Sequence, residues 1–326
     1  MGVKINEFSE GSLMSKYYID IVLATYNGAL FIKEQLDSIR NCDGYNELIN
    51  RIIVSDDSSV DDTVKIVHEF NDSKIEVVTN TFNKGPVGNF SHGLSISTAQ
   101  FVMFSDQDDV WCKDKILKFY EKSKFLDVNH PGVVYSNLTL VDKHLNLLGR
   151  NFFENEKVSF DWGCKVSNLF FQNVAPGCAM LLNRKCIERI YPLDDEKIVM
   201  HDWWALMFAS IHENVLVINE PLVQYRQHEN NAVGATIESN FSDFYKKIKK
   251  SWANFHRAIY QLEFFYSKLS QYEIEKLNCN EFERITFFKN FNQKNIIQRI
   301  CAACDKPPYK SDKLRDALTR LFIILG

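Results

Sequence analysis

The chain carries no excess of positive charge: 38 lysines and arginines face 42 aspartates and glutamates, a formal net charge of −4. Nucleic-acid binders need a basic field, so that class is set aside. No run reaches the ~18 consecutive apolar residues of a membrane-spanning helix. Glycine (13) and proline (7) are sparse in 326 residues, and neither a low-complexity linker nor an internal repeat is visible. Residues 1–16 are polar and lack the apolar core of a secretory signal. "MGVKIN" misses the myristoylation pattern because Asn6 stands where Ser or Thr is needed, and Met14 offers an alternative start. There is no disulfide framework. Cys42, Cys112, Cys164, Cys178, Cys186 and Cys279 are scattered, and a chain this long builds a core without staples. Cys301 and Cys304 form a lone CxxC without the second pair of a zinc ribbon, so they are expected on a helix face. The expected compartment is reducing and cytoplasmic.

What the chain does have is alternation. "YYIDIVLATYN", "RIIVSDDSS", "KIEVVTN" and "QFVMFSD" read as buried strands. Between them, "GALFIKEQLDSIRNC", "SVDDTVKIVHEF" and "VGNFSHGLSIS" carry helical spacing, the second opening on a capping box from Ser59 to Asp62. Such alternation predicts an α/β domain with a mostly parallel sheet. Ligands of such sheets sit outside the carboxyl ends of the strands. Three strands end in polar clusters, Thr25-Tyr26-Asn27, Asp56-Asp57 and Asp106 to Asp109, which should meet in one cleft. "GVVYSNLTLVD", "CAMLLN" and "NVLVINEPLVQYRQH" read as further strands. After about residue 236 only helices are expected. Phe244, Ile248, Trp252, Phe255, Ile259 and Leu262 form one stripe beside Lys246, Lys247, Lys249 and Lys250. Leu314, Leu318, Phe322 and Leu325 form another. The first stripe either packs on the neighbouring domain or lies on anionic lipid as a basic amphipathic element. The expected division is a polar tail over 1–17, an α/β domain over 18–236 and a helical region over 237–326.

Three acids within "FSDQDDVW" repel one another, at a cost that grows with burial. The stretch is a solvated turn, a helix start or a metal site. It is not an EF-hand, because Val110 and Trp111 stand where an oxygen ligand and glycine are required. A P-loop is absent, and "GPVG" is not a dinucleotide fingerprint. A strand-end Asp-x-Asp suits Mg²⁺ or Mn²⁺ held by one or two carboxylates with phosphate oxygens completing the shell.

"ATYNG", "VSDDSSVDDT", "NKGPVGNF", "FSDQDDVW", "PGCAMLLNRK", "HDWW" and "YRQHENNAVG" occur in this order. Over residues 18–236 the chain thereby resembles family 2 glycosyltransferases of the GT-A fold, above all the rhamnosyltransferase-like branch that builds bacterial cell-surface polysaccharides. The resemblance implies an inverting, metal-dependent transferase taking a nucleoside diphosphate sugar. The donor it suggests first is dTDP-rhamnose, followed by UDP-hexoses. Thr25, Tyr26 and Asn27, with Asp56 and Asp57, would line the nucleoside pocket. Asp106 and Asp108 would bind ribose and Mn²⁺ or Mg²⁺, with His228 approaching the metal or diphosphate. Asp202 of "HDWW" would be the catalytic base; pattern alone favours a helix N-cap there, and one residue can serve both roles. Gly177, Cys178 and Trp203 would sit on the acceptor side, Trp204 beside them, with Asp109 supporting. The acceptor would be a glycan on a lipid carrier, reached from the cytoplasmic face of the membrane. Two other classes fit less well. A sugar-nucleotide-forming nucleotidyltransferase would show a Gly-rich, basic loop after the first strand, which "TYNGALF" lacks. A non-catalytic nucleotide-sugar-binding module would not need Asp202, Asp-x-Asp and His228 together.

Overall fold

The computed structural model describes residues 18–228 and 241–326, with side chains from 246 onward in the second stretch. The expected tail, Phe244 of the apolar stripe and the boundary at 236 lie outside these described side chains. Strands and helices alternate through β1 (Ile19–Thr25), α1 (Ile32–Arg40), α2 (Tyr45–Leu48), β2 (Ile49–Asp56), α3 (Thr63–Glu69), β3 (Ile75–Thr79), α4 (Gly85–Ile96) and β4 (Phe101–Ser105). Next come β5 (Val110–Trp111), α5 (Lys115–Ser123), β6 (Val133–Val141), β7 (Leu147–Asn151) and α6 (Phe152–Glu156). Then follow β8 (Met180–Asn183), α7 (Arg184–Ile190), α8 (His201–Ile211) and β9 (Val215–Arg226). The chain ends in α9 (Phe241–Lys268), α10 (Gln271–Lys276), α11 (Cys279–Lys289), α12 (Ile296–Ala303) and α13 (Lys313–Leu325).

β1 is buried on both faces, as the apolar run Ile21–Leu23 requires of a central parallel strand, with Asp20 at its start bonded by Asn50 and Ser97. Helices cover it from both sides: Ile32, Leu36 and Ile39 of α1 join one core cluster, Phe90 and Leu94 of α4 the other. The sheet order is β3-β2-β1-β4-β8-β6-β9-β5, with β7 on β6. The first four strands are parallel, and β8 runs against β4. Parallel register pairs Thr25 with Asp56 and Leu23 with Ser105, so the polar strand ends do fall on one edge. β8 enters from that edge. Because Met103 pairs with Leu181, continuing the register brings Cys178 level with Asp106. β5 pairs Val110 with Gln224, which sets Arg226 level with Asp108.

Two local expectations change, at Ser59 and in α13, while the α9 stripe takes the first of its two alternatives. Ser59 does not cap α3, which starts at Thr63 with no side-chain cap from Asp62. Ser59 instead donates to Asp56 (2.5 Å) and accepts from Asn27 N (2.9 Å), because a buried carboxylate outbids an exposed helix end. The α9 stripe packs on the core, with Phe255, Ile259 and Leu262 buried and Ile248 and Trp252 partly so. In α13 the buried face is Thr319, Phe322 and Ile323, while Leu314 and Leu325 are exposed. Cys301 and Cys304 lie exposed at the end of α12, as a helix-face pair.

Candidate active site

At the end of β1, Thr25 is buried and donates from Oγ1 to Asp56 Oδ1 at 2.9 Å. Asp56 also accepts from Ser59 N at 2.8 Å. Asp57 accepts from Asn80 Nδ2, Lys84 N and Gly85 N at 2.8–2.9 Å. Both acids are therefore occupied as loop organisers. Asn27, in the left-handed region (φ 49), accepts from Val60 N at 2.9 Å and links the first two strand ends. Tyr26 projects outward, 47% exposed, while Gln107 bonds both its N–H and its carbonyl. A Cβ on neighbouring Gly28 would lie 2.1 Å from Gln107 Oε1, so a side chain there would push the amide off Tyr26. The nucleoside-side residues named from sequence thus share one loop cluster, with Tyr26 offering an open ring.

The acids of the β4 end are held differently. Asp109 is buried; Oδ1 accepts from Arg226 N (3.1 Å) and Oδ2 has no partner. Asp106, Asp109 and Cys178 bring one ligand atom each within 4.8 Å of one another, close enough to share an ion. Burial, then the charge of Asp108 and then that of Asp202, pushes the Asp106 carboxyl up to about 7. Burial and the neighbouring Asp108 and Asp106 push Asp109 well above the usual carboxylate range. Burial likewise raises the Cys178 thiol far above its ordinary value, so it stays a thiol. Asp108 is partly exposed and pairs with His228 Nε2 at 2.8 Å, while Arg226 Nε donates to its carbonyl at 2.6 Å. His228 stacks on Phe31, ring centroids 5.1 Å apart.

These residues fit a hard divalent cation. Two raised carboxyls and an orphaned carboxylate oxygen gain from a positive charge between them. A protonated thiol is a poor ligand for such an ion. Cys178 is fully buried beside the acids.

Asp202 lies in the first turn of α8, whose N-cap is Met200. The capping reading fails on geometry, since Asp202 is already inside the helix. Its Oδ2 accepts from Gly177 N (2.8 Å), and its Oδ1 accepts from Asn173 Nδ2 (2.9 Å) and Trp203 N (2.5 Å). Burial raises the carboxyl to about 6 even against those donors. Gly177, which bonds Asp202, is the chain neighbour of Cys178, whose sulfur lies within 4.8 Å of an Asp106 oxygen, so Asp202 and the Asp-x-Asp are neighbours. A Cβ on Gly177 would meet His201 Nε2 at 2.6 Å, which explains glycine there. Trp203 is buried and donates from Nε1 to Leu169 O at 2.7 Å. Trp204 packs on Phe208, Phe264 and Phe265. Neither indole presents an open face, because tryptophans in a helix buried on all sides become core.

Sequence reasoning passed over Asn173, Gln107, Arg226 and Lys115. Lys115 is fully buried beneath the acids, donating to Cys178 O at 2.5 Å with Nζ 3.3 Å from the Trp111 ring centroid. Its neighbours in sequence, "VWCKDKI", give no sign of that burial. Arg226 sits inside the quoted "YRQH", and its adjacency to His228 was the available signal.

Residues 20–182 match Glycosyl transferase family 2. The chain is 30% identical to the dTDP-rhamnosyl transferase RfbG of Shigella flexneri, over 69% of this chain and 78% of that one. It is 24% identical to the Escherichia coli UDP-Glc:alpha-D-GlcNAc-diphosphoundecaprenol beta-1,3-glucosyltransferase WfgD, over 73% and 85%. Among solved structures, Staphylococcus aureus TarS 1–349 with UDP-GlcNAc superposes with a TM-score of 0.54 at 16% identity, covering 94% and 90% of the chains. The mannosyltransferase PcManGT of Pyrobaculum calidifontis, in complex with GDP-Man and Mn2+, gives 0.54 at 15%, covering 94% and 84%. Those two likenesses speak to the fold. With half of its length in the family match and a relative at 30% identity, the chain belongs to glycosyl transferase family 2 and is a glycosyltransferase of GT-A fold.

Proposed function

We propose that the protein moves a sugar from a nucleoside diphosphate donor to a hydroxyl of a growing bacterial surface glycan, inverting the anomeric centre. The observation that carries this reading is Asp202: buried, fixed by three donors, in no ion pair among the described residues, and in the field of Asp106. A carboxyl lifted to about 6 is ionised at neutral pH yet basic enough to take a proton as an alcohol attacks. The acceptor hydroxyl gives its proton to Asp202, and its oxygen bonds to the anomeric carbon from the face opposite the diphosphate. The bond to the diphosphate breaks, and one displacement inverts the centre.

Tyr26 would stack the nucleobase, with the Thr25–Asp56–Asp57 loops shaping the nucleoside end. Asp106, Asp108 and His228 would hold Mn²⁺ or Mg²⁺, with Asp109 beneath. That ion would supply Lewis-acid neutralisation of the departing diphosphate. The names of RfbG and WfgD support dTDP-rhamnose as the first donor to test and UDP-glucose as the second. WfgD's acceptor supports a glycan on a lipid diphosphate, met at the inner face of the cytoplasmic membrane. Among the described residues no helix is long and apolar enough to cross a membrane. The apolar face of α9 is spent on the core, so attraction of that helix to anionic lipid would rest on its exposed lysines.

The test is transfer from each donor of a nucleotide-sugar panel, after a thermal-shift screen with Mn²⁺, in wild type and Asp202→Asn. Asn keeps the shape but cannot take the proton. We expect kcat and kcat/KM to fall together by at least ~10²-fold with donor affinity kept. Near-normal turnover would remove Asp202 from the mechanism and turn attention to Asp194 and Asp195. No transfer from any donor by the wild type would overturn the reading.

A further inference from the structure

The C-terminal helices contain a cavity of about 370 Å³ between α11, α12 and the turn that follows. That volume lies in the range of small-ligand sites. Its distinguishing feature is Arg284, which is buried yet has no hydrogen bond from Nε, Nη1 or Nη2. The guanidinium lies over the Tyr309 ring, with Cζ 4.1 Å from the centroid, and Phe170 lies 5.9 Å away. Tyr309 is fixed in turn by donating to Ala302 O at 2.8 Å. The Tyr309 ring thus covers one side of the guanidinium. The Asp305 carboxylate stands 4.0 Å from Nε, too far for a hydrogen bond.

A buried arginine whose nitrogens make no close hydrogen bond, and whose nearest carboxylate stands 4.0 Å away, is only partly compensated for its lost water. An arriving pair of anionic oxygens would satisfy the fork in the bidentate way guanidinium favours. Phe287, Phe288, Ala302 and Ile297 form the apolar part of the wall, and the carboxylates of Glu283 and Asp305 also line it. Ile297 is 69% exposed at the mouth, beside exposed Ile296 and Ile300 on the same helix. The ligand these walls accept has a hydrocarbon body behind its charged head.

We propose that this cavity binds one anionic amphiphile, its carboxylate or phosphate on Arg284 and its hydrocarbon between Phe287 and Ile297. Carboxylate and phosphate heads share the chemistry Arg284 recognises, and the experiment separates them. The site lies in α11–α12, outside the strand-end carboxylates, and is independent of the transfer reaction proposed above.

The test is equilibrium binding to the full chain of decanoate, decyl phosphate, decanol and inorganic phosphate, each below its micelle concentration. Saturable binding of at least one anionic amphiphile at one per chain is expected, with decanol and inorganic phosphate at least about 10-fold weaker. The tighter of decanoate and decyl phosphate identifies the head. Arg284→Gln should weaken that ligand at least about 10-fold. Asp305→Asn should tighten it, because the competing carboxylate is gone. Should Arg284→Gln not fold, Ile297→Glu at the exposed mouth provides the same loss without touching the core. No saturable amphiphile binding, equal binding of inorganic phosphate, or undiminished affinity in both Arg284→Gln and Ile297→Glu would overturn the proposal.

Discussion

At the N-terminal end of α8, Asp202 is buried among backbone and amide donors with Asp106 nearby, and its carboxyl rises to about 6. Past the C-terminal end of the same helix, His212 and Arg189 close on Glu273, another buried acid. Burial alone would raise Glu273 too. Bidentate bonds from Arg189 (2.8 Å each) and contacts from His212 and Ser270 instead hold it far below the usual carboxylate range. Burial is common to both acids, so the difference comes from what each is given as a partner. The strand-end region gathers Asp106, Asp109 and Asp202 with no ion pair to any of the three among the described residues, Asp108 alone meeting His228; the junction with α10 sets a cation directly on its acid.

The sharpest break of the comparison is at Asp108. Asp108→Ala, or EDTA on the wild type, should abolish transfer and remove the thermal stabilisation given by nucleoside diphosphate with Mn²⁺, while circular dichroism stays native. Undiminished transfer in EDTA would mean the strand-end acids serve some purpose other than a cation.

Next in size, Arg189→Ala should cost about 2–3 kcal/mol by denaturant titration, since it strands Glu273 without its cation. Its transfer rate at 25 °C should stay near wild type. Asp109→Asn should do the reverse, gaining about 1 kcal/mol in the metal-free protein by relieving repulsion while slowing transfer. A stabilised Arg189→Ala or a destabilised Asp109→Asn would erase the contrast.

The pH dependence has a definite sign. Asp202 and Asp106 have folded values near 6 and 7, above the ~4 of an unfolded aspartate, so the folded state holds more protons across that window. Their contribution to stability is complete below about pH 4 and is lost as pH rises toward 7. Glu273, with its depressed folded value, contributes above about pH 4 and loses that contribution in stronger acid. Thermal melts of the metal-free Arg189→Ala protein should therefore show stability declining from pH 4 to 7, and Mn²⁺ with nucleoside diphosphate should flatten the slope. Transfer itself should fall as pH drops through about 6, when Asp202 takes a proton.

The smallest effect is expected at Leu314, which is 78% exposed despite its place in the apolar stripe of α13. Leu314→Ser should move stability by no more than about 0.5 kcal/mol. A larger loss would mean that this face is covered in solution.

The sequence by itself determined the layered fold and the converging strand ends. Residue alternation is a local property, and a parallel sheet sends every strand's carboxyl end to one edge. Thr25, Asp56 and Asp106 could thus be placed together from their positions in "LATYN", "IVSDD" and "MFSDQ" alone. It also marked Asp202, through the order of its motifs. Partners across the chain were another matter. That Ser59 would serve Asp56, that Asn173 and Gly177 would grip Asp202, and that Lys115 would be buried beside Cys178 depended on contacts between distant segments. Whether Trp203 faced solvent or core, and whether Leu314 was buried, were likewise decided by which neighbour packed against each helix. Periodicity says that a helix has an apolar side, but only the tertiary structure supplies what covers it.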